Sequence, residues 1–195
     1  LQALSRTNYI PASVRLVDNI QFRFGQALKP HPEGFKKLMS RLQKLFVTQI
    51  KGFDPYQMCA VTFVMEGASK EVAYQKQNIL ELSKLHEGLP AGPENGKRGY
   101  MLTFAIAYIR DFLSNYHIIG ETMETSVPWS KIRQVCKKTK DKLFQLHEKY
   151  NIPGQPYLSY RIPQIYHTGV CIYFMFGMYM KGIKDPEVVF GSIEH

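Results

Sequence analysis

Long hydrophobic runs are missing from this chain. No stretch of about 18 apolar residues occurs, and the strongest candidate, Val170 to Met180, has only the length of a strand. A membrane-spanning helix is thereby excluded. The first residues lack the basic-then-apolar order of a signal peptide, so any targeting signal is expected outside the chain. Cysteine is scarce: Cys59, Cys136 and Cys171 lie far apart, without CxxC spacing or a Cys/His cluster. That argues against a disulfide framework and a structural zinc site, and fits a reducing compartment. Each cysteine sits in an apolar stretch and is expected to be a buried small hydrophobe. The six histidines are scattered without metal-ligand spacing, and no metal is expected. GxGxxG, GxxxxGK[ST], HExxH and GxSxG are absent as well. The glycine-rich segment Gly92 to Gly99 fits no phosphate-loop spacing and reads as a surface turn.

What remains is an ordinary globular composition. The chain has 195 residues, 45% of them hydrophobic and 21% charged, enough for one domain with a proper core. It opens on Leu1-Gln2-Ala3 and stops at Ser192 to His195, inside what reads as a helix begun after Asp185-Pro186. Residues 1–195 are therefore expected to be an internal piece of a larger protein. The net charge is +9, a balance that attracts nucleic acid, anionic membranes or phosphorylated small molecules. Much of it comes from Lys36-Lys37 and from Lys137, Lys138, Lys140 and Lys142, which read as solvated helix faces.

Ser13 to Phe24 alternates and reads as extended chain, with a turn at Asp18-Asn19. Pro30 and Pro32 break the chain. Phe35, Leu38, Met39, Leu42, Leu45 and Phe46 recur at helical spacing, predicting a helix that ends near Gly52. Tyr56 to Glu66 reads as a buried strand, and Ser69 as the cap of a helix reaching His86. Leu89 to Arg98 reads as a loop leading into a buried helix from Tyr100 to Tyr116. His117 to Thr125 looks extended, and Pro128 is placed to start a long helix through Ile132, Val135, Leu143 and Leu146. Tyr157 to Tyr179 predicts one or two strands covered on both faces. The sum is an α+β domain: a mostly antiparallel sheet with helices packed on it.

Two arginines lie in apolar company, Arg15 within Val14-Arg15-Leu16 and Arg110 within Ile109-Arg110-Asp111. A buried arginine must be paired or serve a ligand, because an uncompensated buried charge is very costly. Asp111 is no automatic partner, since adjacent helical residues do not face each other. Either an internal ion pair or recognition of a phosphate or carboxylate by the planar guanidinium satisfies the pattern. Tyr173, in Ile172-Tyr173-Phe174, reads as a core tyrosine or a site tyrosine.

In the same places the chain resembles the alkylglycerone-phosphate synthase family. The resemblance is carried in order by Pro11-Ala12-Ser13-Val14-Arg15-Leu16-Val17-Asp18-Asn19, Asn95-Gly96-Lys97-Arg98-Gly99-Tyr100 and Ala107-Tyr108-Ile109-Arg110-Asp111. It continues through Gly120-Glu121-Thr122-Met123-Glu124-Thr125-Ser126-Val127-Pro128-Trp129 and Cys171-Ile172-Tyr173-Phe174. It implies a flavoprotein of the vanillyl-alcohol-oxidase type, of which this chain is most of the substrate-covering cap, the FAD-linked oxidase C-terminal type. The FAD-binding domain and a histidine-rich motif are then expected outside the chain, and the piece alone is expected to be inactive.

The activity so implied is a transferase reaction of ether-lipid and plasmalogen biosynthesis in peroxisomes. The acyl chain of acyl-dihydroxyacetone phosphate is exchanged for a long-chain fatty alcohol, with N5 of the reduced flavin bonded to the substrate and no net redox change. The resemblance puts Arg15 beside flavin and substrate, Arg110 at the substrate phosphate and Tyr173 at the reacting centre, with Glu124 and Thr125 approaching the flavin. It admits the peroxisomal membrane surface and a second copy of the chain as partners, and no nucleic acid. His167-Thr168 departs from the family, where an Asp-Ala pair precedes Gly169. Two other readings stay open: the cap of a redox flavoenzyme acting on a 2-hydroxy acid or phenol, and a non-enzymatic basic binding module.

Overall fold

A computed structural model describes residues 1–28 and 33–195, with side chains at 35–37, 40, 43 and 98–107 outside the description. Pro30, Pro32, Phe35, Lys36-Lys37 and the Arg98-Gly99-Tyr100 and Ala107 parts of the family-like segments therefore lie outside the described residues or side chains.

The first strand, β1 (Ser13–Val17), is shorter than its sequence pattern, because Asp18 turns the chain into helix α1 (Asn19–Ala27). Its Oδ1 accepts the Gln21 N–H at 2.8 Å, satisfying one of the free donors of a first helical turn. The extended reading through Phe24 fails there: Ile20 and Phe24 are four apart, the spacing of a helix face. Helix α2 (Gly34–Leu45) follows, continued by a π turn at Phe46–Ile50. Its Leu38, Met39, Leu42, Leu45 and Phe46 are exposed.

Strand β2 (Ala60–Val64) also begins later than expected. The Asn19 side chain donates to the Pro55 and Met58 carbonyls at 2.9 and 2.7 Å, holding that stretch in a turn. Helix α3 (Ser69–Leu85) contains Ser69 as its first residue. Its start is capped instead by Glu71, whose carboxylate accepts the Ala68 N–H at 2.9 Å. Helix α4 (Pro93–Ser114) absorbs most of the expected glycine-rich loop. Pro93 brings the right φ to a position whose N–H needs no partner, so the helix starts immediately after Gly92. Strand β3 (Ile118–Pro128) and a 3-10 turn (Trp129–Lys131) precede helix α5 (Ile132–Lys149). Strands β4 (Tyr157–Ile165) and β5 (Gly169–Tyr179) form a hairpin, and α6 (Pro186–Glu194) completes the described elements.

The five strands make one antiparallel sheet in the order β2-β1-β4-β5-β3. Alternation gives it two different faces. On the packed face, Val14, Leu158, Ile162, Val170, Ile172, Phe174, Phe176 and Met178 join Ile79 of α3, Leu143 of α5 and Phe190 and Ile193 of α6 in one buried cluster. Phe176 and Phe190 stack with ring centres 5.4 Å apart, and the Tyr160 hydroxyl donates to the Cys136 carbonyl at 2.9 Å. At the hairpin, Gly169 is required by close approach: a Cβ there would meet the Val127 carbonyl oxygen at 2.5 Å. His167 and Thr168 are exposed in that turn.

The other face is covered differently. Helix α1 crosses β4 and β5, where Gln21 Nε2 meets Met175 Sδ at 3.5 Å and Phe24 packs on Tyr157. Helix α4 contacts both edge strands, β2 and β3, and Gly96 at its start lies against Thr62 of β2. The reading of β4 and β5 as covered on both faces thus holds only in part, since Tyr173 and Met175 remain half-buried.

Candidate functional site

Strand register decides which polar side chains meet. Residues opposite one another in a ladder project from the same face, and residues two apart on a strand do so too. Arg15 opposes Thr62, Val17 opposes Arg161, Arg161 opposes Tyr173, and Tyr173 opposes Glu124. Thr62, Arg15, Arg161, Tyr173 and Glu124 therefore form a row across all five strands on the face that α1 and α4 flank. Three family-implied residues far apart in sequence, Arg15, Glu124 and Tyr173, are brought to one surface by this pairing.

Contacts within the row are specific. The Arg161 guanidinium carbon lies 4.3 Å from the centre of the Tyr173 ring. The Tyr173 hydroxyl donates to Thr122 Oγ1 at 2.9 Å. The Cys171 thiol donates to Glu124 Oε1 at 3.0 Å. Burial pushes that thiol above its ordinary value and the hydrogen bond to Glu124 adds to the effect, so it stays protonated at neutral pH. Burial pushes the Arg161 guanidinium down; Tyr173 and Glu124 pull it back up, and the like charge of Arg15 pushes it further down. Arginine begins so high that it remains a cation.

The remaining expected residues fall elsewhere. Thr125 opposes Ile172, so it projects from the face opposite to Glu124, at the exposed edge strand. Arg110 is exposed near the end of α4, beside Tyr108 and Phe112 at 76% and 57% exposure. Its apolar neighbours in sequence do not enclose it, so the expected burial penalty does not arise. Cys59 is exposed in the turn ahead of β2, against expectation, while Cys136 is half-buried and Cys171 buried. Thr62 and Arg161 are the row members that the sequence does not single out, and only Arg161 is charged. The signal was present, an arginine between Tyr160 and Ile162, the same company that singled out Arg15.

Lys137, Lys138, Lys140 and Lys142 are exposed on α5, the helix that covers the packed face, and Lys137 pairs with Asp141 one turn on. They do not join the arginine row. Among the described residues no group of three or more His, Cys, Asp or Glu could hold a metal ion, and no helix is long and apolar enough to cross a membrane. Two guanidiniums give the row fixed positive charge, and the buried Arg161 Nε has no hydrogen-bond partner. An anionic group placed there would meet charge of the opposite sign.

Comparison with known proteins agrees with this architecture. The model of the family described as FAD linked oxidases, C-terminal domain, matches residues 1–189. The chain is 39% identical over 185 residues to the alkyldihydroxyacetonephosphate synthase of Caenorhabditis elegans, covering 94% of this chain and 31% of that protein. It is 24% identical over 185 residues to the Dictyostelium discoideum protein of the same name, covering 95% of this chain and 30% of that one. It thus spans about a third of the length of these relatives. Two crystal structures of alkyldihydroxyacetonephosphate synthase, in space groups P212121 and P1, superpose with TM-scores of 0.74 and 0.73 at 23% and 22% identity. Each covers 98% of this chain and 35% of the solved chain, and shows the same fold. The five-stranded antiparallel sheet, its helical cover and the match along almost the whole length establish that this chain belongs to the family of FAD-linked oxidase C-terminal domains, whose cofactor is FAD.

Proposed function

We propose that the chain is the substrate-binding cap of a peroxisomal, FAD-dependent alkylglycerone-phosphate synthase, a transferase of ether-lipid biosynthesis. In this reading the complete protein exchanges the acyl group of acyl-dihydroxyacetone phosphate for a long-chain fatty alcohol: one ester C–O bond breaks, one ether C–O bond forms, and the fatty acid leaves as its carboxylate. The observation that carries it is the meeting of Arg15 and Tyr173 on one face of the sheet. The 39% identity to the nematode synthase supports the same reading. Most of the FAD is held by a domain outside this chain.

FAD, when bound, supplies the nucleophilic centre for the exchange. Arg15 would stand beside the flavin and lend positive charge to it and to the substrate headgroup. Glu124 and Thr125 would help to hold the flavin, Glu124 from the face it shares with Arg15 and Thr125 from the other side of β3. Tyr173 manages a proton at the reacting carbon, a role that a positioned phenol can fill. Arg110, unencumbered on α4, binds the substrate phosphate through its guanidinium fork. The isolated piece is inactive on this account, and the peroxisomal membrane surface and a second copy of the chain are its proposed partners.

The test uses the full-length protein purified with its flavin, supplied with acyl-dihydroxyacetone phosphate and labelled hexadecanol. Labelled alkyl product is expected, and Arg110→Ala is expected to raise KM for the phosphorylated substrate by about tenfold or more, the scale of a lost charge-assisted contact. A yellow protein that makes no ether bond but reduces its flavin with 2-hydroxy acids would overturn the synthase in favour of a redox enzyme. A colourless protein would overturn both.

A further inference from the structure

Arg161 stands directly opposite Tyr173 in the β4–β5 ladder, and its guanidinium lies over the ring at 4.3 Å. Opposed residues of an antiparallel pair are close enough to touch, and a planar cation on an aromatic face is an attractive arrangement. On the far side, Thr122 of β3 accepts the Tyr173 hydroxyl at 2.9 Å. One phenol is thus gripped from three adjacent strands: its ring from β4, its backbone in β5 and its oxygen from β3.

Core packing is a poor explanation for Arg161. Its Nε is buried without a hydrogen-bond partner, and Arg15 adds like charge to the same face. A buried charge with an unmet donor is costly, and an apolar residue of similar volume would fill the space without that cost. The strand ladder would form equally well with a leucine or methionine there. What such a residue could not do is hold a cation over the Tyr173 ring.

We propose that Arg161 is a positioning residue for Tyr173: stacking of the guanidinium sets the plane of the ring, Thr122 sets the direction of the hydroxyl, and the phenol is aimed across the face before substrate arrives. The consequence for turnover rests on the proposed function of Tyr173; the positioning itself does not. Preorganisation of this kind acts on the chemical step, because misplacing a reacting group by about 1 Å can cost on the order of a hundredfold in rate.

The experiment places 3-fluorotyrosine at position 173 of the full-length, flavin-loaded protein and records its fluorine resonance in wild type, Arg161→Lys, Arg161→Met and Thr122→Val. Lysine keeps charge and length but cannot stack as a plane. Both Arg161 variants are expected to move the resonance toward that of the free amino acid, with Thr122→Val giving a smaller displacement. In the unlabelled enzymes, kcat is expected to fall roughly ten- to a hundredfold with KM for acyl-dihydroxyacetone phosphate changed less than about threefold. Should Arg161→Met fail to fold, Arg161→Lys decides alone. A wild-type resonance in Arg161→Lys, with wild-type turnover, overturns the proposal. If the wild type makes no ether product, the synthase reading falls, while the fluorine spectra still decide the role of Arg161.

Discussion

Strand β5 presents two surfaces that differ in nearly every physical respect. Phe174 is 1% exposed, packed edge-on against Tyr160 and enclosed by the helical side of the sheet. Tyr173, its neighbour in sequence, is half-buried on the other face, with a cation on its ring and a hydroxyl bond to an edge strand. The packed face is apolar and tightly filled; the other face, partly covered by α1 and α4, holds two arginines, a tyrosine and a glutamate in a single row. Apolar burial is concentrated on one side and charged and polar side chains on the other, which is how a rigid sheet can carry charges that a core would not tolerate.

The largest test of that division is Phe174→Ala in the full-length protein. Removing a fully enclosed ring is expected to cost about 3–5 kcal/mol, read as a fall in the urea midpoint. Tyr173→Phe should do the reverse: stability changes by less than about 1 kcal/mol, while turnover falls by a factor on the order of 10² to 10⁴, the usual worth of a positioned proton-transfer group. Equal stability losses from the two substitutions would erase the distinction between the faces.

A middle-sized effect is expected at Asp18, which ties the two sides together. One carboxylate oxygen caps α1 and the other accepts the Tyr160 N–H of β4 at 3.0 Å. Asp18→Ala is expected to cost about 1–2 kcal/mol. Burial raises its carboxyl above the ordinary value of 3.8, against the pull of the Gln21 and Tyr160 N–H groups. The folded state then holds a proton that the unfolded chain has released, so Asp18 favours folding below that ordinary value and loses this contribution as pH rises through the folded value. Asp18→Asn cannot ionise and should flatten the fall of the urea midpoint with pH in that window; an unchanged slope would assign the pH dependence to other groups.

The smallest effect belongs to the lysine side of α5. Lys142→Glu should alter stability by no more than about 0.5 kcal/mol and leave turnover unchanged, because the side chain is solvated and remote from the row. A large loss of activity there would bring the basic surface back into the functional account.

Much of the fold is readable along the chain, because helices α2, α3 and α5 and strands β4 and β5 advertise themselves by periodicity and by Gly and Pro at their ends. The misreadings sit where a local interaction outweighed the pattern: Asp18 capping α1, Asn19 holding the turn before β2, Pro93 starting α4 early. The family-like segments carry Arg15, Arg110, Tyr173, Glu124 and Thr125 to the reader as individual residues. They do not say that Thr125 lies on the face opposite to Glu124, or that Arg110 is exposed.

The sequence by itself determined the α+β class, the positions of most elements and membership of the flavin-linked family, since periodicity and ordered motifs are local properties of the chain. Tertiary structure alone decided the site. Both alternating sets of β5 are apolar enough to be buried, so composition could not choose its open face; the helices packing on Phe174 and Phe176 did. Arg161 meets Tyr173, and Arg15 joins them, only because β1 pairs with β4 and β4 with β5 in one register, a choice made by hydrogen bonds and side-chain packing summed over distant segments.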